Sequence, residues 1–200
     1  YNAGVFFQEN LQWQEAAQHF REAVRLEPRF VEAHNNLGNS LRQLDQLDSA
    51  ADALLAALAL RPDFADAHCN LGAVYQDQAR FVDAASCYRR TLVLEPNMAE
   101  AHWLQATLRL LHGDYTRGLP EFEWRVDCPG MRHVQFRQPP WNRESLDGRT
   151  ILLYTEQGLG DGLQFIRYAN VLKQKGARVV ICCELPLLPL LQNSFPTIAL

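Results

Sequence analysis

The chain is 200 residues long, enough for one or two domains, and its net charge is −4 with an isoelectric point near 5.9. That balance, with no run of basic residues, excludes general nucleic-acid binding. No stretch is long and apolar enough to span a membrane and no signal peptide is evident, so the sequence reads as cytoplasmic. The cysteines stand at 69, 87, 128, 182 and 183, odd in number and without metal-type spacing. They read as free thiols of a reducing compartment, with Cys182 and Cys183 buried in an apolar strand.

Pro28, Pro62 and Pro96 recur every 34 residues. Aligned on them, Gly38 coincides with Gly72, Leu37 with Leu71, Ala50 with Ala84 and Leu54 with Tyr88. A preceding segment supplies Gly4, Ala16, Phe20 and Ala23 in the same places. Each segment holds two stretches of helical apolar spacing, such as Leu71, Val74, Tyr75 and then Phe81, Ala84, Ala85, Tyr88. Helices are predicted near 31–44, 47–60, 65–78, 81–94 and 99–112. Each proline ends a second helix and forces a turn. Gly38 and Gly72 fall inside first helices at a cost of about 1 kcal/mol each against alanine. Close approach of the paired helix, against Ala50 or Ala84, is the expected compensation.

This period and pattern resemble the tetratricopeptide repeat (TPR), a helix-turn-helix unit that stacks into a superhelix. The resemblance implies a right-handed superhelix over residues 1–126, about 3.5 repeats, that binds a protein or peptide in its groove. The chain opens at Tyr1 in mid-repeat without a methionine, which reads as a piece of a longer protein. The fourth unit departs from the pattern: Gln105-Ala106 replaces Leu-Gly, Gly118 replaces the small alanine, and no proline follows. An atypical terminal repeat commonly caps such an array, but its leucines, Leu104, Leu108, Leu110 and Leu111, are expected instead to dock the array onto the chain that follows.

Residues 127–148 carry three prolines and no period, and read as a linker with Phe136 and Trp141 as anchors. Residues 149–200 then change character. ILLYTE (151–156) reads as a buried strand, QGLGDG (157–162) as a glycine turn, 163–176 as one helix, ARVVICCE (177–184) as a second buried strand, and LPLLPLLQNS starts another helix. Strand, turn, helix, strand is a βαβ unit with a parallel sheet. The fold class is therefore an α-helical TPR superhelix followed by the start of an α/β Rossmann-like domain.

Gly158, Gly160 and Gly162 would let backbone N–H groups approach a ligand at the carboxyl edge of that sheet. The spacing is not the dinucleotide fingerprint, and a tight turn with Asp161 as helix cap accounts for it equally. A repeat array followed by Glu123-Trp124-Arg125, Pro140-Trp141, a strand and an EQGLGD loop is similar to bacterial proteins in which TPRs precede a two-Rossmann glycosyltransferase domain. That domain resembles the heptosyltransferases and, more loosely, O-GlcNAc transferase. The resemblance implies that Asp161, after Gly160, is the base for an acceptor hydroxyl. It assigns a nucleotide-sugar donor to a second Rossmann half, so residues 1–200 alone are expected to hold no cofactor and to be inactive. The competing reading is a non-enzymatic scaffold whose α/β appendage caps the array or joins protomers into a homo-oligomer.

Asn2, Asn36 and Asn70 also repeat, each two residues before its glycine. An amide both donates and accepts, so it can serve the N–H and C=O of an extended peptide at once. O-GlcNAc transferase has a similar asparagine ladder lining its groove. Solvated helix positions are the plain alternative. His34, His68 and His102 share the period, but one repeat separates them by about 10 Å, too far for one metal ion. They read as packing residues. Tyr1 and Trp103, at equivalent positions, read as groove or core aromatics.

Overall fold

The computed structural model describes residues 1–128, 138–142, 144–155 and 159–194, without the side chains of Asp161 and Phe165. The chain divides into two compact units, residues 1–131 and 132–200.

The first unit is a run of antiparallel helix pairs: α1 (Asn2–Glu9) with α2 (Trp13–Leu26), α3 (Val31–Gln43) with α4 (Leu47–Leu60), α5 (Ala65–Asp77) with α6 (Phe81–Leu94), and α7 (Ala99–Leu111) with α8 (Tyr115–Phe122). A 3₁₀ turn, Glu123–Asp127, prolongs α8. The helices predicted from residue 31 to 112 match within a residue or so, because period, proline and glycine agree on them.

Each pair closes on one large side chain. Phe20, Leu54 and Tyr88, one period apart, are fully buried. A Cβ on Gly4, Gly38 or Gly72 would stand 2.7 Å from Phe20, 2.5 Å from Leu54 or 2.5 Å from Tyr88. This corrects the partner expected from sequence. The glycines make room for these large residues, whereas Ala16, Ala50 and Ala84 are buried small residues elsewhere in the same interfaces. The fourth unit follows the same plan more closely than its sequence suggests, since Phe122 stands one period after Tyr88. Its leucines also serve the array: Leu104 and Leu108 pack with Tyr88, and Leu110 fills the place opened by Gly118. Only Leu111 of the four is largely exposed.

The turn inside each pair repeats too. Leu11, Asp45 and Ala79 have φ of 58°, and Gly113 in the fourth pair has φ of 79°. After each, an N–H reaches back to the helix, as Gln46 N–H does to the Leu41 carbonyl (2.9 Å) and Arg80 N–H to Tyr75 (2.7 Å). A non-glycine residue in this left-handed region costs about 1–2 kcal/mol. Ala79→Gly is expected to raise stability by up to about 1 kcal/mol once glycine's greater unfolded entropy is set against that relief, a gain measurable by chemical denaturation.

The second unit holds two parallel strands, β1 (Thr150–Tyr154) and β2 (Arg178–Cys182), paired from Thr150–Arg178 to Tyr154–Cys182. Between them run α9 (Leu159–Phe165) and α10 (Tyr168–Gln174), two helices where the sequence suggested one, and α11 (Leu188–Ser194) follows β2. The parallel βαβ arrangement is as expected. Ile151, Leu153, Val179 and Ile181 face a core with Ile166, Ala169, Leu172, Leu187 and Leu191. Leu146, from the stretch assigned to the linker, joins that core at 6% exposure.

The strands are buried on one face only. Leu152 and Tyr154 are each 39% exposed, and Cys182 on the same face is exposed, with Cys183 half-buried. The expectation of two buried strands and a buried Cys182-Cys183 pair is thus corrected: alternation along the strand sends Cys182 to the open face. All five cysteines are free thiols. Trp141 is 45% exposed and donates its indole N–H to the Glu144 carbonyl (2.9 Å); Phe136 lies outside the described residues.

Candidate functional site

The first helices of successive pairs line a cleft of about 320 Å³. Its wall includes Gln8, Asn35, Asn36, Asn39, Arg42 and Asn70, with Asp66, Cys69 and Glu100 further along. These residues come from α1, α3, α5 and α7, the first helices of their pairs. Asn36 and Asn70 therefore share one surface, as the period predicts. Asn2 is exposed at the start of α1 and is not among the lining residues.

The asparagines form a directed chain. Asn70 Nδ2 donates to Asn35 Oδ1 (2.9 Å), Asn35 Nδ2 to Asn36 Oδ1 (3.3 Å), and Asn36 Nδ2 to the Tyr1 hydroxyl (3.2 Å). Asn35, 7% exposed, is the hinge of this chain, and sequence reasoning missed it. The signal was present but broken: one period on from Tyr1 stand Asn35, Cys69 and Trp103, a row of four different residue types. Tyr1 is itself packed on Phe30 (ring centroids 4.6 Å). The Trp103 indole nitrogen is buried without a partner among the described residues.

Charge enters the cleft unevenly. Arg42 is held by Asp77 at 2.6 Å. Glu100 is an exposed residue, yet desolvation of its carboxyl in the cleft raises it above the usual carboxylate range; Arg42 pulls it down, and Asp66 adds to the rise. Burial likewise pushes the Cys69 thiol well above its ordinary value, which keeps it protonated and unreactive.

The three histidines have a common task outside the cleft. Nε2 of His34, His68 and His102 donates to the carbonyl of Pro28, Pro62 and Pro96 at 3.0, 2.9 and 2.9 Å. Each ties a first helix to the turn before it, the packing role expected. His102 also stacks on Trp124 (4.3 Å between centroids) and meets Glu121 through Nδ1 at 3.1 Å. Among the described residues no group of His, Cys, Asp and Glu could hold a metal ion, and no helix is long and apolar enough to cross a membrane.

At the glycine turn the residues separate. Gly158 lies outside the described residues. A Cβ on Gly160 would meet nothing within 4 Å, whereas one on Gly162 would stand 2.9 Å from Thr155 Cγ2 and 3.0 Å from Leu187 Cδ1. Gly162 therefore serves packing within the unit. Asp161 is the third residue of α9, and its side chain lies outside the described residues. The Thr155 hydroxyl, just past β1, is buried with no hydrogen-bond partner among the described residues.

A tetratricopeptide-repeat family model matches residues 69–123 and a TPR-repeat model residues 38–78. Tetratricopeptide repeats are thus matched over residues 38–123, and the helical unit has a TPR-like fold. The TPR fold also appears in solved structures: MamA, at 24% identity and TM-score 0.55, covers 62% of this chain and 72% of its own. A thermophilic TPR protein of Thermus thermophilus, at 19% identity and TM-score 0.57, covers 62% and 69%. The first TPR domain of Spaghetti (RPAP3), bound to the HSP90 peptide SRMEEVD, is 21% identical with TM-score 0.53, covering 55% and 87%. At these identities the likeness shows the fold. No curated protein matches the chain.

Proposed function

We propose that the TPR cleft binds an extended polypeptide of a protein partner. The observation that carries this reading is the asparagine chain along the cleft wall. Asn36 and Asn70 each spend one N–H on a neighbour, and Asn70 Oδ1 accepts nothing from a described residue. Their spare groups can meet a peptide's N–H and C=O, which gives sequence-tolerant affinity from the backbone. A structural neighbour with the same fold holds a peptide, which supports the reading. The test is Asn36→Ala/Asn70→Ala in a titration with labelled unstructured peptides. Loss of two net hydrogen bonds should weaken binding about tenfold. Asn35 loses its donor in that variant, so stability should fall by about 1–2 kcal/mol, and binding is measured well below the melting temperature. Unchanged affinity in the folded variant would remove the asparagines from the function.

We infer further that residues 149–200 begin the acceptor side of a glycosyltransferase acting on the protein held by the repeats, with a nucleotide sugar as donor. Three features support this. The sheet is parallel, α9 opens just past the carboxyl end of β1, and an enclosed Thr155 hydroxyl there has no hydrogen-bond partner among the described residues. In open α/β sheets that edge is where ligands sit. The non-enzymatic scaffold remains the alternative, favoured by the packing role of Gly162.

A further inference from the structure

The cleft wall carries acceptors that lack donors. Glu32, Asp66 and Glu100 are the second residues of α3, α5 and α7, one period apart. Glu32 is paired with Arg61 at 2.6 Å. One and two periods after Arg61 stand Glu95 and Pro129, so the pairing is not repeated. Neither Asp66 nor Glu100 makes a hydrogen bond or close ion pair with a described residue, yet both line the cleft. Arg42 is the one cation among the lining residues described, and Asp77 already neutralises it. The fixed charge on this stretch is therefore net negative. An independent feature points the same way: the Gln8 side-chain oxygen, also in the cleft lining, is enclosed and accepts no hydrogen bond from a described residue.

We infer that the peptide bound in this cleft carries a lysine or arginine whose cationic head meets Asp66 and Glu100 while the asparagines hold its backbone. The inference rests on the polypeptide-binding reading and adds the chemistry of the ligand. It also sets this cleft apart from the neighbour that holds SRMEEVD, because that peptide's adjacent glutamates and aspartate would meet like charge here.

The experiment uses the whole chain and three labelled dodecapeptides of one Ser-Ala-Thr background, with two central residues set to Lys, Gln or Glu. In anisotropy titrations the Lys peptide should bind roughly tenfold or more tightly than the Gln peptide, and the Glu peptide more weakly still. The Lys advantage should shrink as salt rises from about 50 mM to about 500 mM. Asp66→Asn/Glu100→Gln should erase the preference for Lys over Gln in the folded variant, whereas Glu32→Gln should preserve it. Equal binding of Lys and Gln peptides, or a Lys preference that survives the double variant, overturns the inference and leaves the groove reading standing. Failure of all three peptides to bind overturns both.

Discussion

Tyr88→Ala is expected to remove about 3–5 kcal/mol of stability, the largest loss from any single truncation in the repeat array. Tyr88 is fully buried and is the side chain against which Gly72 gives up its Cβ. It touches Ala84 and Leu108 in the core that joins the third repeat to the fourth. Burial pushes its phenol far above the ordinary range, so it stays neutral, and its hydroxyl donates to Gln76 Oε1 at 3.0 Å. Truncation removes the ring, opens a cavity that the rigid helix pair closes poorly, and strands Gln76. Tyr88→Phe separates the terms, since it keeps the ring and should cost only about 1 kcal/mol. The melting temperature of Tyr88→Ala should fall by roughly 10 °C. Repeat arrays unfold in parts, so hydrogen exchange should show the loss concentrated in α5, α6 and α7. A loss below about 1 kcal/mol would mean that the glycine–tyrosine contact is not what closes the repeat.

The repeat was legible because each unit states its own boundaries several times. Proline stops one helix, glycine admits the next, and the 34-residue spacing checks both. What escaped was what needs a partner in space. Gly38 invites a neighbour, but only the helix crossing decides that Leu54 and not Ala50 fills the place. Phe122 continues the series of Phe20, Leu54 and Tyr88, a signal hidden by the missing proline after it. The left-handed turns at Leu11, Asp45 and Ala79 carry no glycine, so composition gave no hint of them. In the cleft, the period brought out Asn36 and Asn70, which are alike. Asn35, which links them, is followed one period later by Cys69, and a row of unlike residues leaves no pattern. Asp66 and Glu100, without a close ion pair among the described residues, stand out only against Glu32 with its Arg61. In the α/β unit, apolar runs announced strands but not which face stays open, because that depends on what packs against the sheet.

Asp161→Asn, made in the full-length protein, is expected to lower sugar transfer by about 10²–10⁴-fold if the α/β unit begins an acceptor site. Asp161 is the third residue of α9, close after the carboxyl end of β1. A sugar or serine hydroxyl that attacks an anomeric carbon must lose its proton, and a carboxylate at the sheet edge can accept it. Asparagine keeps the size and the polarity but is no base at neutral pH. The structural alternative predicts something different and smaller. A carboxylate in the first turn of a helix contributes only about 0.3–1 kcal/mol through the helix dipole, and an amide forfeits that alone. The two outcomes are distinguished by measuring product formation by mass spectrometry beside the melting temperature and donor affinity. Transfer lost at unchanged stability and donor binding makes Asp161 the base. Retained transfer leaves it a helix residue and turns attention to the Thr155 hydroxyl, buried with no hydrogen-bond partner among the described residues.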